Sequence, residues 1–191
     1  MIKHRSNVSN YWLQVIAALL FLALLSPLAA GEGEENVSEF TRDFLGVYNF
    51  SADKLVSLAE EIPADKYSWR PAEGVRSVKE AVLHVAGANY FFASLLGTDI
   101  PEGVNPRGLE KSVESKEDAI AALKTSYDHA RAAVKAVSPE NFNQEIDFFG
   151  NKVTLRQVIM ILGNHAEEHL GQMIAYARSN GVVPPWSQKQ E

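Results

Sequence analysis

Residues Leu155–Ser179 read LRQVIMILGNHAEEHLGQMIAYARS, an uninterrupted run without proline. Leu155, Val158, Ile159, Leu162, Ala166, Met173 and Tyr176 recur at spacings of three and four, the period of a helix with one apolar face. Thr154 stands where an N-cap belongs, Asn180-Gly181 supplies a left-handed stop, and Pro184-Pro185 prevents any continuation. Two histidines, His165 and His169, fall inside the apolar stripe, which is the side that must face a core.

Three more segments carry the same period. The spacing predicts a helix over about Lys116–Val137, opened by Ser115 with Asp118, with Ile120, Leu123, Tyr127, Ala130, Val134 and Val137 on one line. Ser77 with Glu80 three residues on forms a capping box for a helix over about Val78–Leu96, which stops at Gly97. The first helix spans about Ser38–Ile62, with an apolar line through Phe40, Phe44, Val47, Ser51, Leu55, Leu58 and Ile62, and Pro63 ends it. The connections are a turn-like linker over 64–76, a loop over 98–113 and a small hairpin or extended turn about Gly150-Asn151. Four amphipathic helices of this length predict an all-α four-helix bundle. Links this long let a helix cross the bundle end as well as reverse.

The chain has 191 residues, a net charge of −6 and 46% hydrophobic residues, enough for one core-bearing domain plus an extension. It has no cysteine, which excludes disulfides, thiolate metal sites, cysteine nucleophiles and iron–sulfur clusters. The acidic balance argues against a nucleic-acid partner, which needs a basic face. The extension has a function of its own. Lys3, His4 and Arg5 precede the apolar run Val15–Leu25, and Ser26-Pro27-Leu28-Ala29-Ala30-Gly31 follows, the three-part pattern of a secretory signal. Cleavage is expected after Ala30 or Gly31, with a retained anchor helix as the alternative and the only route to membrane contact. Residues 1–31 are thus read as a signal, 32–37 as a lead-in, 38–186 as the bundle and 187–191 as a polar tail. The expected location is periplasmic or extracellular.

The chemistry rests on histidine. His165 and His169, four apart, share one helix face and can share one metal ion. His84 sits on the Ala81–Ala88–Phe91–Leu95 face of the second helix and can supply a third imidazole, leaving positions open as in a catalytic site. Against this, a histidine on an apolar face is more often a hydrogen-bonded core residue. His129, beside the apolar line of the third helix, is read as a solvated or half-buried surface residue. His165-Ala166-Glu167-Glu168-His169 also fits the inverted zinc-protease pattern, yet the downstream glutamate ligand of that class is missing. That comparison makes Glu168 a candidate general base, beside the plainer reading of a solvent-facing acid. Tyr90-Phe91-Phe92 is read as core, or as the lining of an apolar pocket beside His84.

Trp69-Arg70-Pro71-Ala72-Glu73-Gly74, followed by Ser77-Val78-Lys79-Glu80-Ala81-Val82-Leu83-His84, resembles the first signature of the DinB-like proteins. Asn164-His165-Ala166-Glu167-Glu168-His169-Leu170-Gly171-Gln172 and Gly181-Val182-Val183-Pro184-Pro185-Trp186 resemble the second. The resemblance implies an up-down-down-up bundle and a three-histidine site for zinc, nickel or another divalent ion at His84, His165 and His169. It places Gln172 one turn past His169, as a support for that ligand or as a packing amide, and it implies homodimer formation, common in the family. Some members use the metal to activate a cytosolic thiol, which an exported protein does not meet. The implied function is metal-dependent transfer, isomerisation or hydrolysis of a small-molecule substrate; the alternative is a non-enzymatic metal-binding or structural module.

Overall fold

The computed structural model describes residues 37–188, and the expected signal segment lies outside them. Four long helices carry the fold: α1 (Glu39–Glu61), α2 (Val78–Leu95), α3 (Lys116–Ala136) and α4 (Leu155–Ser179). The caps explain where they start. Ser38, Ser77, Ser115 and Thr154 each accept a backbone N–H three residues on. Glu80 and Gln157 return the bond to their caps, so α2 and α4 open with complete capping boxes. Gly181, at φ 75°, follows α4. No described helix is long and apolar enough to cross a membrane.

The direction of each helix follows from which ends meet. Lys116 at the start of α3 donates to the carbonyls of Glu60 and Ile62 at the end of α1. The Tyr176 hydroxyl near the end of α4 donates to the carbonyl of Arg76, just before α2. One end of the bundle therefore gathers the ends of α1 and α4 and the starts of α2 and α3. That is an up-down-down-up order. Each of α1 and α2 packs against both α3 and α4. Because α2 and α3 run the same way, the chain between them must travel back along α2, about 27 Å at 1.5 Å per residue. Residues 96–115 make this return. The expected loop contains one helical turn, Leu109–Ser112, that packs on α2.

This return strand explains the sequence of α2. Covered by α3, α4 and the crossover, α2 is buried on most of its circumference, with Val82, Leu83, Val85 and Ala86 all inaccessible. Gly87 lets the crossover approach, because a Cβ there would stand 2.6 Å from the Pro106 carbonyl oxygen. A buried polar chain ties three helices together: the Tyr48 hydroxyl donates to Asn89 Oδ1 at 2.9 Å, and Asn89 Nδ2 donates to Ser126 Oγ at 3.0 Å.

One expected stripe is displaced. Val47 is 65% exposed, and the buried line of α1 runs instead through Thr41, Leu45, Tyr48, Ser51 and Leu55. The buried side admits polar groups that are hydrogen-bonded, such as Tyr48, so a line drawn through apolar residues alone is rotated by about one position.

The expected hairpin forms between β1 (Glu145–Phe148) and β2 (Asn151–Thr154), paired antiparallel with Phe148 opposite Asn151. The two-residue turn is Phe149-Gly150, one residue earlier than the expected Gly150-Asn151, with φ of 53° and 83°. Both values are positive, as the tightest hairpin turns require. Glycine takes that geometry freely, but for phenylalanine it costs about 1 kcal/mol or more.

Candidate metal centre

The three expected histidines meet. His84 comes from the middle of α2, and His165 and His169 from successive turns of α4, where the helix period aims both at α2. One ring nitrogen from each lies within 4.8 Å of the other two. His84 Nε2 and His165 Nε2 stand 3.2 Å apart. His169 is 8% exposed, and the other two are half-buried at the wall of a cavity.

Hydrogen bonds decide which nitrogens point inward as lone pairs. The Tyr176 hydroxyl gives its only proton to the Arg76 carbonyl, 3.0 Å away. Its oxygen must therefore accept from Gln172, whose Nε2 donates to it at 2.9 Å. That orients the amide so that Gln172 Oε1 faces His169 Nδ1 at 2.7 Å. An amide oxygen only accepts, so His169 carries its proton on Nδ1 and keeps the Nε2 lone pair free. His84 is set in the same way. Its Nδ1 donates to Glu110 Oε1 at 3.3 Å, and Glu110 is held in turn by Arg76 Nε at 3.1 Å. Two of the three imidazoles thus have their ligating tautomer chosen by the protein. His165 is held by packing against the Phe92 ring, at 5.7 Å between centroids, and its buried Nδ1 has no partner among the described residues.

The protonation states agree. Burial, the other two imidazoles and Arg76 push His165 down to about 3. Burial lowers His84 as well, aided by Arg76 and His169 and opposed by Glu110. Both are therefore neutral at pH 7. His84 Nε2 turns a lone pair toward His165 Nε2 at 3.2 Å, so either a proton on His165 Nε2 or a shared cation lies between them. Nitrogen donors sharing an ion at bond lengths of about 2.1 Å stand about 3.0–3.4 Å apart. This donor set fits a divalent metal.

The cavity beside His84 and His165 measures about 590 Å³. Ala88, Phe91, Phe92, Phe148, Phe149 and Ile161 give it an apolar wall, and Arg76, Arg107 and Glu110 supply its charge. The expectation that the aromatic run of α2 borders a pocket holds for Phe91 and Phe92. Glu168 is exposed and does not line the cavity, which agrees with the plainer of its two readings, a solvent-facing acid, rather than with a general base. The carboxylate that the fold brings to the cluster is Glu110. No periodicity marks it, since it sits in the crossover, 26 residues from His84 and farther still from His165 and His169. His129 is half-buried against Tyr90, as expected, and takes no part in the cluster.

Comparison with known proteins agrees with this geometry. The sequence profile of the DinB superfamily matches residues 48–173, a stretch that contains all three histidines. The chain belongs to the DinB superfamily. YjoA of Bacillus subtilis (strain 168), an uncharacterized protein, is 32% identical over 127 residues, 65% of this chain and 80% of that protein. The DinB-like crystal structure of YjoA matches with a TM-score of 0.58 and 29% identity, covering 81% of this chain and 100% of that one. A DinB-like protein from Bacillus cereus ATCC 10987 matches with a TM-score of 0.66 at 18% identity, covering 75% of this chain and 95% of that one. YfiT from Bacillus subtilis is described as a probable metal-dependent hydrolase with an unusual four-helix bundle topology. It matches with a TM-score of 0.60 at 15% identity, covering 82% and 97% of the two chains. These likenesses establish the DinB fold, and the three-histidine cluster within it suggests a divalent metal.

Proposed function

We propose that this protein is an exported hydrolase that uses one divalent metal ion, held by His84, His165 and His169, on a small-molecule substrate. The observation that carries the reading is the convergence of three imidazoles at the wall of an open cavity of about 590 Å³. An all-imidazole set suits zinc or nickel, and the chain has no cysteine to recruit softer metals. Such an ion, when bound, polarises a substrate oxygen or lowers the pKa of a bound water to about 7. The residues of the chain do the rest. Gln172 and Glu110 hold the ligand tautomers, Arg76 holds Glu110 beside His84, and the phenylalanines give one side of the site an apolar wall. Hydrolysis is favoured over transfer or isomerisation by the activity in YfiT's description and by a site with room for both water and substrate.

Metal analysis of the purified protein tests the first half. Near-stoichiometric zinc or nickel that disappears in His165→Ala is the expected result, and a protein that stays metal-free at micromolar free zinc and nickel refutes it. Hydrolysis of an ester and amide panel by the metal-loaded protein, absent in His165→Ala, tests the second. Export belongs to the same proposal and rests on residues 1–31. Sequencing the mature N-terminus after expression of the full chain should find Gly31 or Glu32, and an intact cytoplasmic chain would refute it.

A further inference from the structure

Two features of the cavity are unexplained by metal binding. The first is Phe149. Its backbone holds a positive φ of 53°, where asparagine or glycine is at ease, and its ring is 79% exposed. A turn residue selected for stability would not be phenylalanine, and a ring selected for the core would be buried. Its ring instead lies 4.7 Å from Phe148 and 5.8 Å from Phe91, extending the aromatic wall of the cavity outward. The second is Arg107. The chain is acidic, yet two arginines border this one cavity. Arg76 is engaged by both oxygens of Glu110, at 3.1 and 3.2 Å. Arg107 is exposed and has no hydrogen bond or ion pair among the described residues.

We infer that the cavity takes a small organic anion with a flat apolar body, such as an aromatic carboxylate, with the body against Phe91, Phe148 and Phe149 and the anionic end at Arg107. Phe149 is then a specificity-determining residue, and the strain of its turn is the consequence of placing an aromatic ring at the cavity mouth. That such a ligand is the substrate rests on the proposed metal chemistry; its binding does not, so binding is measured on stripped protein.

The probes are naphthalene-2-carboxylate, its neutral carboxamide and butanoate, titrated calorimetrically into the full chain after chelation and dialysis. The carboxylate should bind about three- to fivefold more tightly than the amide, the range of an exposed charge pair, and butanoate should not saturate. Arg107→Gln should erase the carboxylate preference. Phe149→Asn should weaken both naphthalene probes about three- to tenfold, the range of lost ring contacts, while the melting temperature holds or rises because asparagine tolerates the turn. A role for Phe149 in folding alone would leave probe affinity unchanged, and that result overturns the assignment. Equal affinity for carboxylate and amide, or carboxylate binding that appears only after zinc or nickel is restored, overturns the role of Arg107. Loss of metal binding with intact probe binding would refute the proposed chemistry and leave this inference standing.

Discussion

Gln172 chooses the free nitrogen of His169, and it does so because a backbone carbonyl at the far end of the relay can only accept. The chain from the Arg76 carbonyl through Tyr176 and Gln172 to His169 has one consistent set of proton positions. Removing the amide should therefore cost metal affinity without removing a ligand. Gln172→Leu is expected to weaken zinc binding about 10- to 100-fold in competition with a chromophoric chelator, and Tyr176→Phe should have a smaller effect in the same direction. The two candidate carboxylates separate in the same assay. Glu110→Ala should weaken binding within that range, since His84 Nδ1 loses its acceptor, whereas Glu168→Gln should leave affinity unchanged because its side chain faces solvent.

The crossover and α2 act as one unit at the next level up. A return path along α2 brings Glu110 back to His84, and the path is close enough only because residue 87 lacks a Cβ. Gly87→Ala would gain helix propensity, about 1 kcal/mol, but it drives a methyl group to 2.6 Å from the Pro106 carbonyl oxygen. Overpacking of this kind typically costs about 1–3 kcal/mol, so a net loss of stability is expected in urea titration. Zinc affinity should fall with it, as the loop that carries Glu110 is pushed outward. The ends of these helices were legible in advance because caps and stops are local: Ser77 with Glu80, Thr154 and Asn180-Gly181 each act within one turn. The face of α1 was less legible. Tyr48 is buried by virtue of its bond to Asn89, forty-one residues away, and no local pattern reports that partner.

The whole domain has a core that does not depend on a metal ion. Leu55, Leu58, Leu83, Leu123, Ile159, Leu162 and Met173 are fully buried in one cluster spanning all four helices. Chelation should leave a cooperatively folded helical protein. Ligand at 100 times its Kd adds about 2.7 kcal/mol, which at about 2–4 °C per kcal/mol for a domain of this size raises the melting temperature by about 5–10 °C. Calorimetry with and without zinc checks both statements. Acid should act through the same site. In the metal-free fold His165 is held down to about 3 against an ordinary 6.5, so between those values the unfolded chain binds a proton that the folded one refuses. Stability is then full above about pH 6.5 and is lost as pH falls, with His84 adding to the same slope. Urea midpoints should decline from pH 7.5 to pH 5, and His165→Gln should flatten the decline.

The four helices and the three clustered histidines could be read from the sequence by the helix period, with caps and turn residues marking the ends and family signatures around His84 and around His165–His169. Periodicity and capping act over a few residues, and that range is enough to place two histidines on one face and a third on another apolar stripe. Glu110, Arg76, the role of Tyr176 and the place of Phe148 and Phe149 in the cavity wall were decided by the tertiary structure alone. Each depends on the crossover running back along α2 or on the hairpin lying against it, contacts between segments far apart in the chain whose residues carry no periodic mark of the partner they will meet.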